Sequence, residues 1–103
     1  MEISIEWSHQ SIRQIRSIYN YYSQKASPEI AKRITKRIIK KVDILFKNPT
    51  VGQKEVLLAH LSYDYRYLVE SNYKIIYWQE KNTIIIASVF DCRQNPRKTT
   101  NIK

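Results

Sequence analysis

Arg66, Lys74, Arg93 and Arg97 are the cations of this sequence best placed to do chemistry. Each stands on or just beyond a β-branched run in the C-terminal half. Cations gathered on one sheet repel unless an anion lies between them. A cluster of these cations would therefore take a phosphate or carboxylate guest. Arg66 and Lys74 flank the turn Ser71-Asn72. A two-residue turn pairs 70 with 73, 69 with 74 and 66 with 77, and whether the two cations share a face depends on the turn geometry. The interleaved Tyr65, Tyr67, Tyr73, Tyr77 and Trp78 could stack bases, although aromatic residues on paired strands more often pack on one another.

Other chemistries find less support. His9 and His60 fall at a helix start and in a loop, with no partner at ligand spacing, so no metal site is expected. Cys92, the only cysteine, cannot close an internal disulfide. A nucleophilic cysteine needs a histidine base beside it, and the plainer reading is a small residue packed at a strand end. One glycine cannot build a phosphate-cradling loop, which removes nucleotide-driven chemistry, and no cofactor is expected. A second group of cations, Lys32, Arg33, Lys36, Arg37, Lys40 and Lys41, lies opposite the isoleucines of a helix. It forms either a solvated outer face or a contact surface.

The elements that must position these residues follow from periodicity. Glu2 to Trp7 alternates as a half-buried strand. Ser8 caps a first helix with Ile12, Ile15, Tyr19 and Tyr22 on one stripe, running to about Gln24. Ser27 as N-cap, Pro28 in the first turn and Glu29 at its positive end start a second helix. Its stripe of Ile30, Ile34, Ile38, Val42 and Leu45 continues until Asn48-Pro49. Three further runs, Tyr63 to Glu70, Tyr73 to Gln79 and Thr83 to Asp91, form two successive hairpins. The expected fold is α+β, in the order β-α-α-β-β-β, with a helical hairpin on a small antiparallel sheet of three or four strands.

Residues 1–103 are expected to form a single domain, with 95–103 as a polar tail carrying Arg97 and Lys98. At 43% apolar and 12% aromatic residues, the composition is that of an ordered fold. The acidic, polar N-terminus lacks the apolar core of a signal peptide, and no stretch approaches the ~18 apolar residues of a membrane span. A cytoplasmic protein with no membrane partner is expected. The net charge of +9 leaves nucleic acid, an acidic protein segment or solvent as its counterpart.

Taken together, the order β-α-α-β-β-β, Tyr65-Arg66-Tyr67-Leu68-Val69, Tyr73-Lys74-Ile75-Ile76-Tyr77 and Val89-Phe90-Asp91-Cys92-Arg93-Gln94-Asn95-Pro96 resemble the RelE/ParE superfamily of bacterial toxins over nearly the whole chain. The resemblance implies a toxin of a type II toxin–antitoxin, or plasmid stabilisation, system. It further implies a cognate antitoxin whose acidic, initially disordered segment wraps over the toxin. That segment is expected across both helices and the sheet, where it would meet Lys32, Lys36, Arg37 and Lys40. Two activities compete within the family. RelE-like members cleave mRNA on the ribosome without metal, and Arg66, Lys74 and Arg93 resemble the cations of that site. Here, however, Leu68 stands where a further cation would fall, and no Tyr or His follows Arg93 to complete an acid–base pair; Asp91 is the one acid there, and could take the base role only where burial or a neighbour made it hold its proton more tightly. ParE-like members inhibit DNA gyrase by binding it and need no such pair. Ile18-Tyr19-Asn20-Tyr21-Tyr22 followed by Ser27-Pro28-Glu29-Ile30-Ala31 resembles that branch more closely. A non-toxic basic binding module is the third reading.

Overall fold

The computed structural model describes residues 2–93. The tail 95–103, with Arg97 and Lys98, lies outside the described residues. The chain runs β1 (Ser4–Trp7), α1 (His9–Lys25), α2 (Pro28–Val42), β2 (Gln53–Lys54), β3 (Arg66–Glu70), β4 (Tyr73–Glu80) and β5 (Thr83–Asp91), with 3-10 turns at Asp43–Phe46 and Val56–Leu58. Both helix starts carry the expected caps. The Ser8 hydroxyl oxygen accepts from the Ser11 amide at 3.0 Å, while its O–H donates to the Ala87 carbonyl of β5 at 3.0 Å and ties α1 to the sheet. Ser27 accepts from the Ile30 amide at 3.2 Å. Helix α2 stops at Val42, short of the expected end. The following residues wind into the tighter 3-10 turn, which still delivers Leu45 fully buried into the core.

The sheet departs from the expected one in two ways. It has five strands in the order β1-β5-β4-β3-β2, and β1 runs parallel to β5. Tight turns join β3, β4 and β5 and force them antiparallel, with Ser71 and Lys81 in the left-handed region that such turns use. No turn constrains β1 against β5. Its direction is set by the need to feed α1 back over the sheet, and a parallel pair needs just such a long crossover. Strand β2 is only two residues long, pairing Gln53 with Tyr67 and Lys54 with Arg66. Two residues carry no alternation to detect.

The β4–β5 register shifts between Ile76 and Tyr77, leaving Ala87 as an extra residue on β5. A bulge of this kind reverses the alternation, so Ile84, Ile86 and Val89 all reach the core beneath the helices. There they meet Ile38, Val42 and Leu45, together with Leu68, Ile75 and Tyr77. A smaller core fills the other face of the sheet, where Leu58, Leu61 and Tyr65 of the segment before β3 pack on Ile76, Ala87 and Phe90. The chain's one glycine, Gly52, serves a close approach rather than a strained backbone. Its amide donates to the Tyr77 hydroxyl oxygen at 2.9 Å, and that hydroxyl donates to the Pro49 carbonyl at 2.9 Å.

Candidate functional site

The β3–β4 register pairs Arg66 with Tyr77 and Val69 with Lys74, as the two-residue turn requires. Positions 66 and 69 differ by an odd number of residues, so Arg66 and Lys74 point to opposite faces of the sheet. Arg66 lies on the helix-covered face with Tyr77. Its Nη1 donates to the carbonyls of Thr50 at 3.1 Å and Gly52 at 3.0 Å, and its Nε and Nη2 meet Asp64 at 3.2 Å. It borders a small cavity of about 190 Å³ with Pro49, Gln79 and Lys81. Lys74 lies on the outer face, with its ammonium 4.3 Å from the centre of the Tyr67 ring and paired with the buried carboxylate of Glu55.

Arg93 follows β5 and pairs with Asp91 at 2.6 Å through Nη2. Asp91 stands opposite Tyr73 at the start of β4, whereas Arg66 stands opposite Tyr77 four residues on. Four residues of strand separate these two positions by roughly 13 Å. The structure therefore does not bring the three cations together on one phosphate. Each instead has its own carboxylate: Asp64, Glu55 or Asp91.

A concavity of about 740 Å³ lies between α1 and the ends of β4 and β5. Arg13, Tyr21, Tyr22, Tyr73, Asp91 and Arg93 contribute to its walls, with Ile18 and Val89 as apolar lining. Gln14 fixes α1 over this end of the sheet, accepting from the Val89 amide at 2.7 Å and donating to Ser88 Oγ at 3.0 Å. Asp91 holds the Arg93 guanidinium firmly charged, first by their hydrogen bonds and then by its negative charge. Burial, then the 3.3 Å hydrogen bond to Tyr22, pushes the Tyr73 phenol well above the ordinary tyrosine range. Tyr73 is thus a poor proton donor or acceptor near neutral pH.

Burial likewise raises the phenols of Tyr65, with Tyr63 adding to the shift, and of Tyr77, where the Gly52 N–H and Arg66 oppose it. In the unfolded chain these phenols titrate near pH ~10. Above that pH the folded chain retains protons that the unfolded chain releases. Stability is therefore full below about pH 10 and falls as pH rises beyond it. Urea titrations from pH 9 to 11 should show the midpoint declining, less steeply in Tyr73→Phe; a flat midpoint would contradict the assignment.

Sequence reasoning missed Glu55 and Gln14. Glu55 is the single acid between Gly52 and Leu58, but nothing in its neighbours announces burial. Gln14 sits among polar residues of α1, and its role exists only once β5 lies beside it.

The model of the ParE toxin of the type II toxin–antitoxin system parDE matches residues 5–96. The chain belongs to the ParE toxin family. A solved structure described as the chromosomal ParDE TA system from P. aeruginosa shares the fold of this ParE-family chain, with a TM-score of 0.73 and 18% identity over 86% of this chain and 95% of that one. No curated protein matches it. Membership makes the protein a toxin of a type II toxin–antitoxin system. No helix among the described residues is long and apolar enough to cross a membrane.

Proposed function

We propose that this ParE-family toxin arrests growth by binding DNA gyrase, and that a cognate antitoxin neutralises it. The observation that carries this reading is the separation of Arg66, Lys74 and Arg93, each held by a carboxylate of its own. A ribonuclease needs its cations convergent on the scissile phosphate and a proton donor and acceptor in reach. A binding inhibitor needs neither. The groove beside α1 offers the antitoxin's acidic segment apolar contacts at Ile18, Tyr21 and Tyr22 and the cation of Arg13, while Arg93 on its other side is paired with Asp91. Folding onto a partner requires such anchors to offset the ordering of the segment.

The ribonuclease alternative has a direct test. In a reconstituted translation reaction with programmed ribosomes, the purified chain should leave the message intact. Cleavage at the ribosomal A site that disappears in Arg93→Ala would overturn the gyrase reading and favour the nuclease.

A further inference from the structure

From Lys32 to Lys41, helix α2 carries six cations and no acid, the nearest carboxylates being Glu29 and Asp43 at its two ends. Five of the six are exposed and Lys41 is half-buried. None forms an ion pair among the described residues. At about 100° per residue they make two rows, Lys32-Lys36-Lys40 and Arg33-Arg37-Lys41, side by side on an arc of roughly 180°. Helix α2 is held from behind by Ala31, Thr35, Ile38 and Val42, so this arc faces away from the molecule. Four like-charged pairs stand at i,i+4 and two more at i,i+3, and each weakens the helix while it faces only water.

We propose that this face binds the phosphate backbone of double-stranded DNA, with α2 lying in the major groove. Charge and shape both favour this partner. The arc offers Ile39 as its one apolar side chain, at the rim. A disordered protein segment would need more apolar anchorage than that, whereas a phosphate backbone binds through cations alone. A helix about 10–12 Å across fits the ~12 Å major groove of B-form DNA, where the two rows meet phosphates of the two strands. The deep, narrow major groove of A-form RNA does not admit it. Binding would also relieve the repulsion along α2.

Fluorescence anisotropy of the full chain with a labelled 20-base-pair duplex of arbitrary sequence tests the proposal. With four to six phosphates met, the slope of log affinity against log salt should be about −4 to −5, a loss on the order of 10²–10³-fold between 50 and 200 mM salt. The triple variant Lys36→Gln, Arg37→Gln, Lys40→Gln should flatten that slope by about 3. The charge-matched control Arg16→Gln, Lys25→Gln, Lys54→Gln should keep the wild-type slope. Adding duplex should raise the melting temperature of the wild type and leave that of the α2 variant nearly unchanged.

Equal slopes in the two variants would overturn the proposal, because the attraction would then come from net charge alone. So would tighter binding of an RNA duplex. An α2 variant that loses affinity for the acidic antitoxin and keeps its affinity for DNA would assign the face to the antitoxin instead. Gyrase is absent from the measurement, so its outcome stands apart from the inhibition reading.

Discussion

Replacing Lys74 with alanine should lower stability by about 3 kcal/mol, because it strands a carboxylate that water cannot reach. The Glu55 side chain is 3% exposed and that of Lys74 17%. Glu55 Oε1 accepts from the Leu57 amide at 3.2 Å, and Oε2 has the Lys74 ammonium as its partner. The pair fastens the start of the segment that carries Leu58 and Tyr65 over the outer face of the sheet. The doubly substituted Glu55→Leu, Lys74→Met should recover most of the loss, since removing both charges leaves no buried ion unpaired. Urea unfolding of the single and double variants measures both quantities. A loss under about 1 kcal/mol for Lys74→Ala would mean that the pair behaves as a surface salt bridge. The same double variant separates two roles for Lys74. It should still inhibit growth if the cation is structural, and should lose all toxicity if the cation acts on a phosphate.

Gly52→Ala should destabilise the chain by about 3 kcal/mol, combining overpacking with lost hydrogen bonds. A Cβ at this position would lie 2.6 Å from Tyr77 Oη, 2.7 Å from its Cε1 and 2.8 Å from the Tyr67 carbonyl oxygen. Neither neighbour can yield easily. Tyr77 is 1% exposed in the main core, and the Tyr67 carbonyl belongs to β3. Moving the ring would also release the Pro49 carbonyl and the Gly52 amide that share its hydroxyl. Arg66, which holds the Thr50 and Gly52 carbonyls, would loosen with them. Adding Tyr77→Phe should relieve only part of the effect, because the Cε1 contact remains. Chemical denaturation of the single and double variants checks this. A midpoint for Gly52→Ala equal to that of the wild type would show that the turn shifts freely.

How far the sequence speaks for itself depends on the range of the interaction. Helix starts are local events, and Ser8, Ser27 and Pro28 signalled both. The Ser71-Asn72 turn likewise set the β3–β4 register through a two-residue loop. What escaped was contact between distant segments. The parallel pairing of β1 with β5 joins residues about 80 positions apart, and the two-residue β2 is defined only by its pairing with Arg66 and Tyr67 of β3. The candidate cations show the same limit. Their types suggested a phosphate site, but their faces and partners were decided by register and by Glu55, a residue with no local signal. The cationic face of α2 was legible because it needs only helical spacing within one element.

A supercoiling assay with purified gyrase tests the central claim most directly. Relaxed plasmid, gyrase and ATP are incubated with increasing amounts of the full chain, with and without its antitoxin. The toxin alone should block supercoiling in a dose-dependent way, and an equimolar antitoxin should restore it. Full supercoiling at a large excess of folded toxin would contradict the account.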